Sequence, residues 1–299
     1  MRNALLTLSA FVACLSLVGA EDAIPIQLER PFKSGDAYVV SGSAVSIQMQ
    51  KVTSEGKDQE SEATYRRMVF EGRVEVQAVT PEGNAEKATC TIEKCLLAEA
   101  EGQEPKETLP KGMKLIVTRS DAGVALSIDG GGEIPPAAHD LIELFLPVHD
   151  QRTDGNNDLI YGTTQPRKTG ESWQIDTTRA AAALGKAMRG IPIDPAKIQG
   201  MTVVKGVEEA GGIRCAEILA ELSVTDIPVG GPPNFQVVKG EVRATLSGRF
   251  PVDVALRPLD RKASMRFEGS FSGKGPDGKP VVIDTMFDQV QEVTYTPAK

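Results

Sequence analysis

From Asp36 onward, apolar side chains recur at every second position, in runs rich in Val, Ile and Thr that are broken by Gly, Pro, Asn and Asp. That alternation is the mark of strands with one buried and one wetted face. Arg73–Val79 ("RVEVQAV") and Lys87–Leu97 ("KATCTIEKCLL") flank "TPEGN" and predict a hairpin, with Pro81, Gly83 and Asn84 in its turn. Lys114–Thr118 and Val124–Ile128 predict a second hairpin around "RSDAG"; Met201–Val207 and Ile213–Val224 predict a third around "EEAGG". Past the Pro/Gly-rich "IPVGGPPN", the pattern predicts strands over Phe235–Phe250, Val252–Pro258, Lys262–Gly273 and Val281–Tyr295. They read as a meander of long antiparallel strands, one face apolar and one wet.

Two segments leave this period. Pro135–Leu146 ("PPAAHDLIELFL") opens on prolines that suit a first helical turn, clusters Leu, Ile and Phe, and stops at Pro147. Asp176–Gly190 ("DTTRAAAALGKAMRG") starts with capping residues, runs through alanines and closes on glycine. "DPAKIQG", from Asp194, predicts one more helical turn. The expected fold class is therefore mainly β: long antiparallel strands in a curved sheet or open half-barrel, with one or two short helices.

A phrase occurs twice. "PFKSGDAY" (Pro31–Tyr38) and "PRKTGESW" (Pro166–Trp173) share Pro-x-Lys-(Ser/Thr)-Gly-acid-small-aromatic. Each precedes a hairpin that carries a cysteine, Cys90 in one case and Cys215 in the other. We read an internal duplication of one β-rich unit; two unrelated hairpins with ordinary turn chemistry is the alternative. The polar loop "QRTDGNND" (Gln151–Asp158) is the expected boundary. The units are then 21–158 and 159–299, packed together, and each phrase marks the start of one unit's strands. Its Lys and Gly set a turn, and Tyr38 or Trp173 packs inward.

The N-terminus adds a location. Arg2, an apolar run from Ala4 to Ala20 and the small residues Val18-Gly19-Ala20 read as a signal peptide spanning 1–20. A lipoprotein attached through Cys14 and an uncleaved anchor are the alternatives, and nothing later is long and apolar enough to span a bilayer. The chain is expected to be exported, to a periplasmic or extracellular compartment. Its formal charge of −8, with no basic runs, argues against nucleic acid, whose phosphates require clustered Lys and Arg. Cys90 and Cys95 lie an odd number of residues apart. In a regular strand they point to opposite faces, roughly 16 Å apart at ~3.3 Å per residue, too far to pair. Cys215 is a candidate disulfide partner for either; three buried reduced thiols is the other reading.

Little of the sequence carries chemistry. The two histidines, His139 and His149, are each followed by aspartate, but Pro147 separates the pairs and zinc sites want three or four ligands. "GKGPDGKP" (Gly273–Pro280) mimics a phosphate loop, yet Pro280 replaces the metal-binding hydroxyl and a strand pattern follows where a helix is required. "DQRTDGNND" lacks the spacing and closing glutamate of a calcium loop. One Trp and four Tyr are few for a sugar cleft. No cofactor or metal is expected.

The apolar stretches suggest binding instead. "LIELFL" and "AAAALGKAM", laid across a long curved sheet, would make a pocket or simply complete the core. In plan alone, such a sheet resembles the unclosed half-barrels of periplasmic lipoprotein carriers and related lipid-binding envelope proteins. The pocket candidates are Leu141, Leu144, Phe145, Leu184, Met188 and Trp173. The reading is a non-catalytic envelope binding module, taking an apolar small molecule or lipid or another envelope protein. A hydrolase using His139 or His149 with neighbouring carboxylates, and a scaffold acting through its surface, are the alternatives.

Overall fold

A computed structural model of the protein describes residues 23–120, 123–146, 156–188, 191–228, 235–275 and 277–298. The expected signal peptide, Cys14 and His149 lie outside them. The chain builds β1 (Ala37–Ser54), β2 (Lys57–Val79), β3 (Ala85–Ala98), β4 (Lys106–Glu107), β5 (Lys114–Ser120) and β6 (Gly123–Ile128). After α1 (Pro136–Glu143) and α2 (Asn157–Ile160) follow β7 (Ser172–Gln174), α3 (Thr177–Ala187), β8 (Ile198–Ala210), β9 (Ile213–Val224), β10 (Phe235–Pro251), β11 (Asp260–Lys274) and β12 (Pro280–Pro297). All twelve strands join one antiparallel sheet in the order β6-β5-β3-β2-β1-β12-β11-β10-β9-β8-β7, with β4 paired to β3. The mainly β expectation holds. The first and last long strands meet at the middle of the sheet, β1 against β12, over Tyr38–Ser54.

Local chemistry explains the turns. Glu55 and Gly56 both take positive φ (52° and 74°), which matches the right-handed twist of β1 and β2 and lets the two close as a tight hairpin. The strand expected over Arg73–Val79 accordingly reaches back to Lys57. Asp176 caps α3 by accepting from the Arg179 amide at 2.9 Å. The helical turn expected at Asp194 is a single 3-10 turn, Pro195–Lys197. Val252–Pro258, expected as a strand, is instead a run of turns. Asp253 accepts from the Ala255 amide, and Leu256 N–H bonds back to the Asp253 carbonyl, so the backbone folds on itself rather than extending.

The doubled phrase forms the same turn twice. Gly35 donates to the Val76 carbonyl (2.8 Å) and Gly170 to the Val204 carbonyl (2.7 Å). Asp36 accepts from the Lys33 amide, as Glu171 does from that of Lys168. The cysteines, however, do not correspond. Val76 pairs with Ala88, two residues before Cys90, whereas Val204 pairs with Ile218, three residues after Cys215.

Among the described residues one face of the sheet is covered, the face reached by Tyr38, Val40 and Ala44 of β1. Over one wing lie α1 and the residues after it: Ala138, Leu141, Ile142, Phe145 and Leu146 pack on β1, β2, β3 and β5. Over the other wing runs the extended segment with Ile24, Ile26 and Leu28, on β8, β9 and β10. Asp158 holds that segment by accepting from the Leu28 and Glu29 amides (2.5 and 3.1 Å). Helices α2 and α3 cover the rest of this wing. Where the wings meet, Gly42, Val293, Arg261 and Gly248 form one transverse row across β1, β12, β11 and β10. A Cβ on Gly42 would stand 2.0 Å from the Glu292 carbonyl oxygen, and one on Gly248 2.4 Å from that of Asp260. Glycine is what permits this close approach of neighbouring strands.

Candidate functional site

The six apolar candidates do not converge. Leu141 and Phe145 are buried on the first wing, with Leu144 beside them. Leu184 and Met188 pack near α3 on the other wing. Trp173 packs in the cluster under the N-terminal segment, half-buried, its Nε1 donating to the Tyr161 and Gly162 carbonyls (2.9 and 3.0 Å). Arg167 lies over its ring at 5.2 Å. These residues complete cores; only Phe145 also reaches the central crevice described below.

No disulfide joins Cys215 to Cys90 or Cys95: all three are free, buried thiols. Cys90 and Cys95 also share a face, contrary to the strict-alternation expectation. The β2–β3 register slips between Glu71 and Gly72, leaving Glu93 as an extra residue, and the bulge turns Cys95 back towards the core. Cys215 sits on β9, six strands away along the sheet. Burial pushes the Cys90 thiol up to about 12 and that of Cys95 to about 11, so neither is a nucleophile at neutral pH.

His139 lies on α1, with Nδ1 3.6 Å from Asp140 and 3.5 Å from Glu143. Partial burial raises the Glu143 carboxyl. No cluster of three potential metal ligands occurs among the described residues.

Where the wings meet, a crevice of about 50 Å³ is reached by Arg261 of the transverse row. Phe145, Leu146, Leu246 and Phe250 form its apolar walls; Tyr38, Tyr295, Glu29, Asn157, Arg30, Arg257 and Arg261 supply the polar ones. A cavity that holds benzene is about 150 Å³, so this space admits a small polar group and not an alkyl chain. Arg257 lies 3.5 Å above the Phe32 ring and bonds to the Arg30 and Pro31 carbonyls and to Asp36. Arg30 is 6% exposed; its Nη2 donates to the Pro251 carbonyl at 2.7 Å. Burial, opposed by Asp158 and reinforced by Arg257, lowers its pKa. Sequence reasoning missed this cluster, although two signals were present. Arg30 occupies the inward phase of Ile24, Ile26, Leu28 and Phe32, and Arg261 that of Ala263, Met265 and Phe267.

A second feature is the reach of the central strands. β3 pairs with β2 only over Arg67–Val79, and β9 with β10 only over Val242–Pro251. Among the described residues, the β2 stretch 57–66 thus has no ladder on its β3 side. Beside the β10 stretch 235–241, on its β9 side, Ile227 N–H bonds to the Gly240 carbonyl. In this projecting region β1 reverses its polarity. Its apolar residues leave the covered face after Ala44 and appear on the opposite face as Val45, Ile47 and Met49, with no bulge between. Tyr65, Met286 and Val290 are their cross-strand neighbours, and Met49 is 41% exposed.

No family model and no curated protein matches the chain. Among solved structures, lipovitellin, in a study of lipid–protein interactions, is 11% identical over 90% of this chain and 26% of its own, with a TM-score of 0.31. The chain thus spans about a quarter of that protein's length. The outer membrane protein OprG from Pseudomonas aeruginosa is 6% identical over 90% of this chain and 100% of its own, TM-score 0.16. A LolA superfamily protein from Nitrosomonas europaea is 10% identical over 85% and 87%, TM-score 0.12. None of these scores amounts to a shared fold. No helix of the described residues is long and apolar enough to cross a membrane.

Proposed function

We propose that the chain is an exported, non-catalytic binding module whose partner is another envelope protein, met by the projecting ends of its central strands. The observation that carries this reading is the coincidence of an apolar patch with open strand edges. Val45, Ile47, Met49, Tyr65 and Met286 lie on the uncovered face beside the unladdered 57–66 stretch. Free backbone N–H and C=O groups seek a polypeptide strand, which a lipid cannot supply. The central crevice supports the choice, because its roughly 50 Å³ is too small to enclose an acyl chain. The two equivalent Lys-Gly turns support reading 21–158 and 159–299 as duplicated units, with export following from the 1–20 segment.

A photo-cross-linking residue at Met49 tests the proposal in intact cells, with Met201 on β8, 43% exposed, as the control position. The expected result is one discrete protein adduct from position 49, absent from 201 and lost when Ile47→Lys is added. No adduct at 49, or a lipid adduct alone, overturns it.

A further inference from the structure

The central crevice holds cationic donors that the folded chain leaves unanswered. Arg30 Nε and Nη1 and Arg261 Nε are buried and have no hydrogen-bond partner. Arginine stays charged at any physiological pH, and a buried charge without acceptors is strongly unfavourable. Asp158, Asp253 and Glu29 act on Arg30 through space without bonding its Nε or Nη1. Asp158 accepts from two backbone amides, and Asp36 from Arg257 and the Lys33 amide. Glu29 accepts from the Asn157 side chain. Arg257 adds a third positive charge on the crevice wall. Gly248, directly opposite Arg261 on β10, adds no side chain to that row. Half-exposed Glu29, Asn157, Arg257 and Pro258 in the lining give the crevice access to solvent.

We propose that this crevice binds a single oxyanion group, a carboxylate or a phosphate, held by the free donors of Arg30 and Arg261. A guanidinium presents a planar fork of donors that matches either group, and two of them can grip one anion from different sides. The small volume fits such a group and little more. The anion completes the junction between the wings, since Arg30 belongs to the segment that covers one wing and Phe145 and Leu146 to the cover of the other. This site is independent of the strand-end surface.

The test uses the full mature chain. Isothermal titration with inorganic phosphate and with acetate, at ionic strength held constant with chloride, is expected to show saturable one-to-one binding. Arg261→Gln is expected to weaken it at least tenfold, and Arg261→Lys to restore part of it. Arg30→Met is the second variant; should it fail to fold, the Arg261 pair still decides. Decanoate compared with acetate separates the sources. Equal affinity identifies a free small anion, and tighter decanoate binding identifies the acidic head of an amphiphile whose tail leaves the crevice. Absence of saturable binding to the wild type, or binding unchanged in Arg261→Gln, overturns the proposal.

Discussion

Phe145→Ala distinguishes a plug from a lid. Phe145 is 2% exposed, and its ring stacks on that of Phe70 with centroids 5.0 Å apart and planes at 17°. Removing it deletes a buried aromatic side chain and leaves a cavity between the α1 cover and the sheet. Burial of such a ring removes roughly 150–250 Å² from water, worth about 4–6 kcal/mol at ~25 cal/mol per Å² as an upper bound. Measured Phe→Ala losses in cores run about 3–5 kcal/mol. For a chain of this size each kcal/mol lowers the melting temperature by about 2 °C, so the expected drop is about 6–10 °C. Thermal unfolding followed by circular dichroism gives the number. Asp140→Ala, on the exposed side of α1, is the control and should shift it by about 1 °C or less. A Phe145→Ala drop below about 2 °C would refute the packing argument, because it would mean that the segment rests on the sheet as a removable lid.

Gly42→Ala should cost more than about 3 kcal/mol, since its Cβ would meet the Glu292 carbonyl at 2.0 Å and the two central strands would have to separate; urea midpoints within error of wild type would refute this. Cys90 and Cys95 should resist a thiol reagent at pH 8 in the folded protein and react at once in urea, and dithiothreitol should leave the melting temperature unchanged. The sign of the pH effect follows from the raised folded-state values. The folded thiols hold their protons more tightly than unfolded ones near ~8.5, so stability is full below that pH and falls as pH rises towards 11 and 12. Cys90→Ala should therefore flatten the decline measured between pH 8 and 10; an unchanged slope would contradict the assignment.

Much of the β architecture was legible because it is local. The hairpins around Gly83 and the Gly211-Gly212 pair announce themselves through turn chemistry, and Asp176 and the alanines of α3 through capping and propensity. Val252–Pro258 misled because its alternation is real, while the Asp253 side chain bonds its own backbone and folds the segment into turns. Counting by two also failed at Glu93, where one bulged residue reverses every later side chain of β3.

By itself, then, the sequence determined the period, the hairpin turns, helices α1 and α3 and the doubled Lys-Gly phrase, because each is set by residues a few positions apart. Only the tertiary structure decided that the first and last long strands meet, that Leu141, Phe145, Leu184, Met188 and Trp173 fill three separate cores, and that Arg30 and Arg261 face one crevice. Those outcomes depend on which strand lies beside which. Alternation fixes that a side chain points inward; strand order and register fix what it meets there.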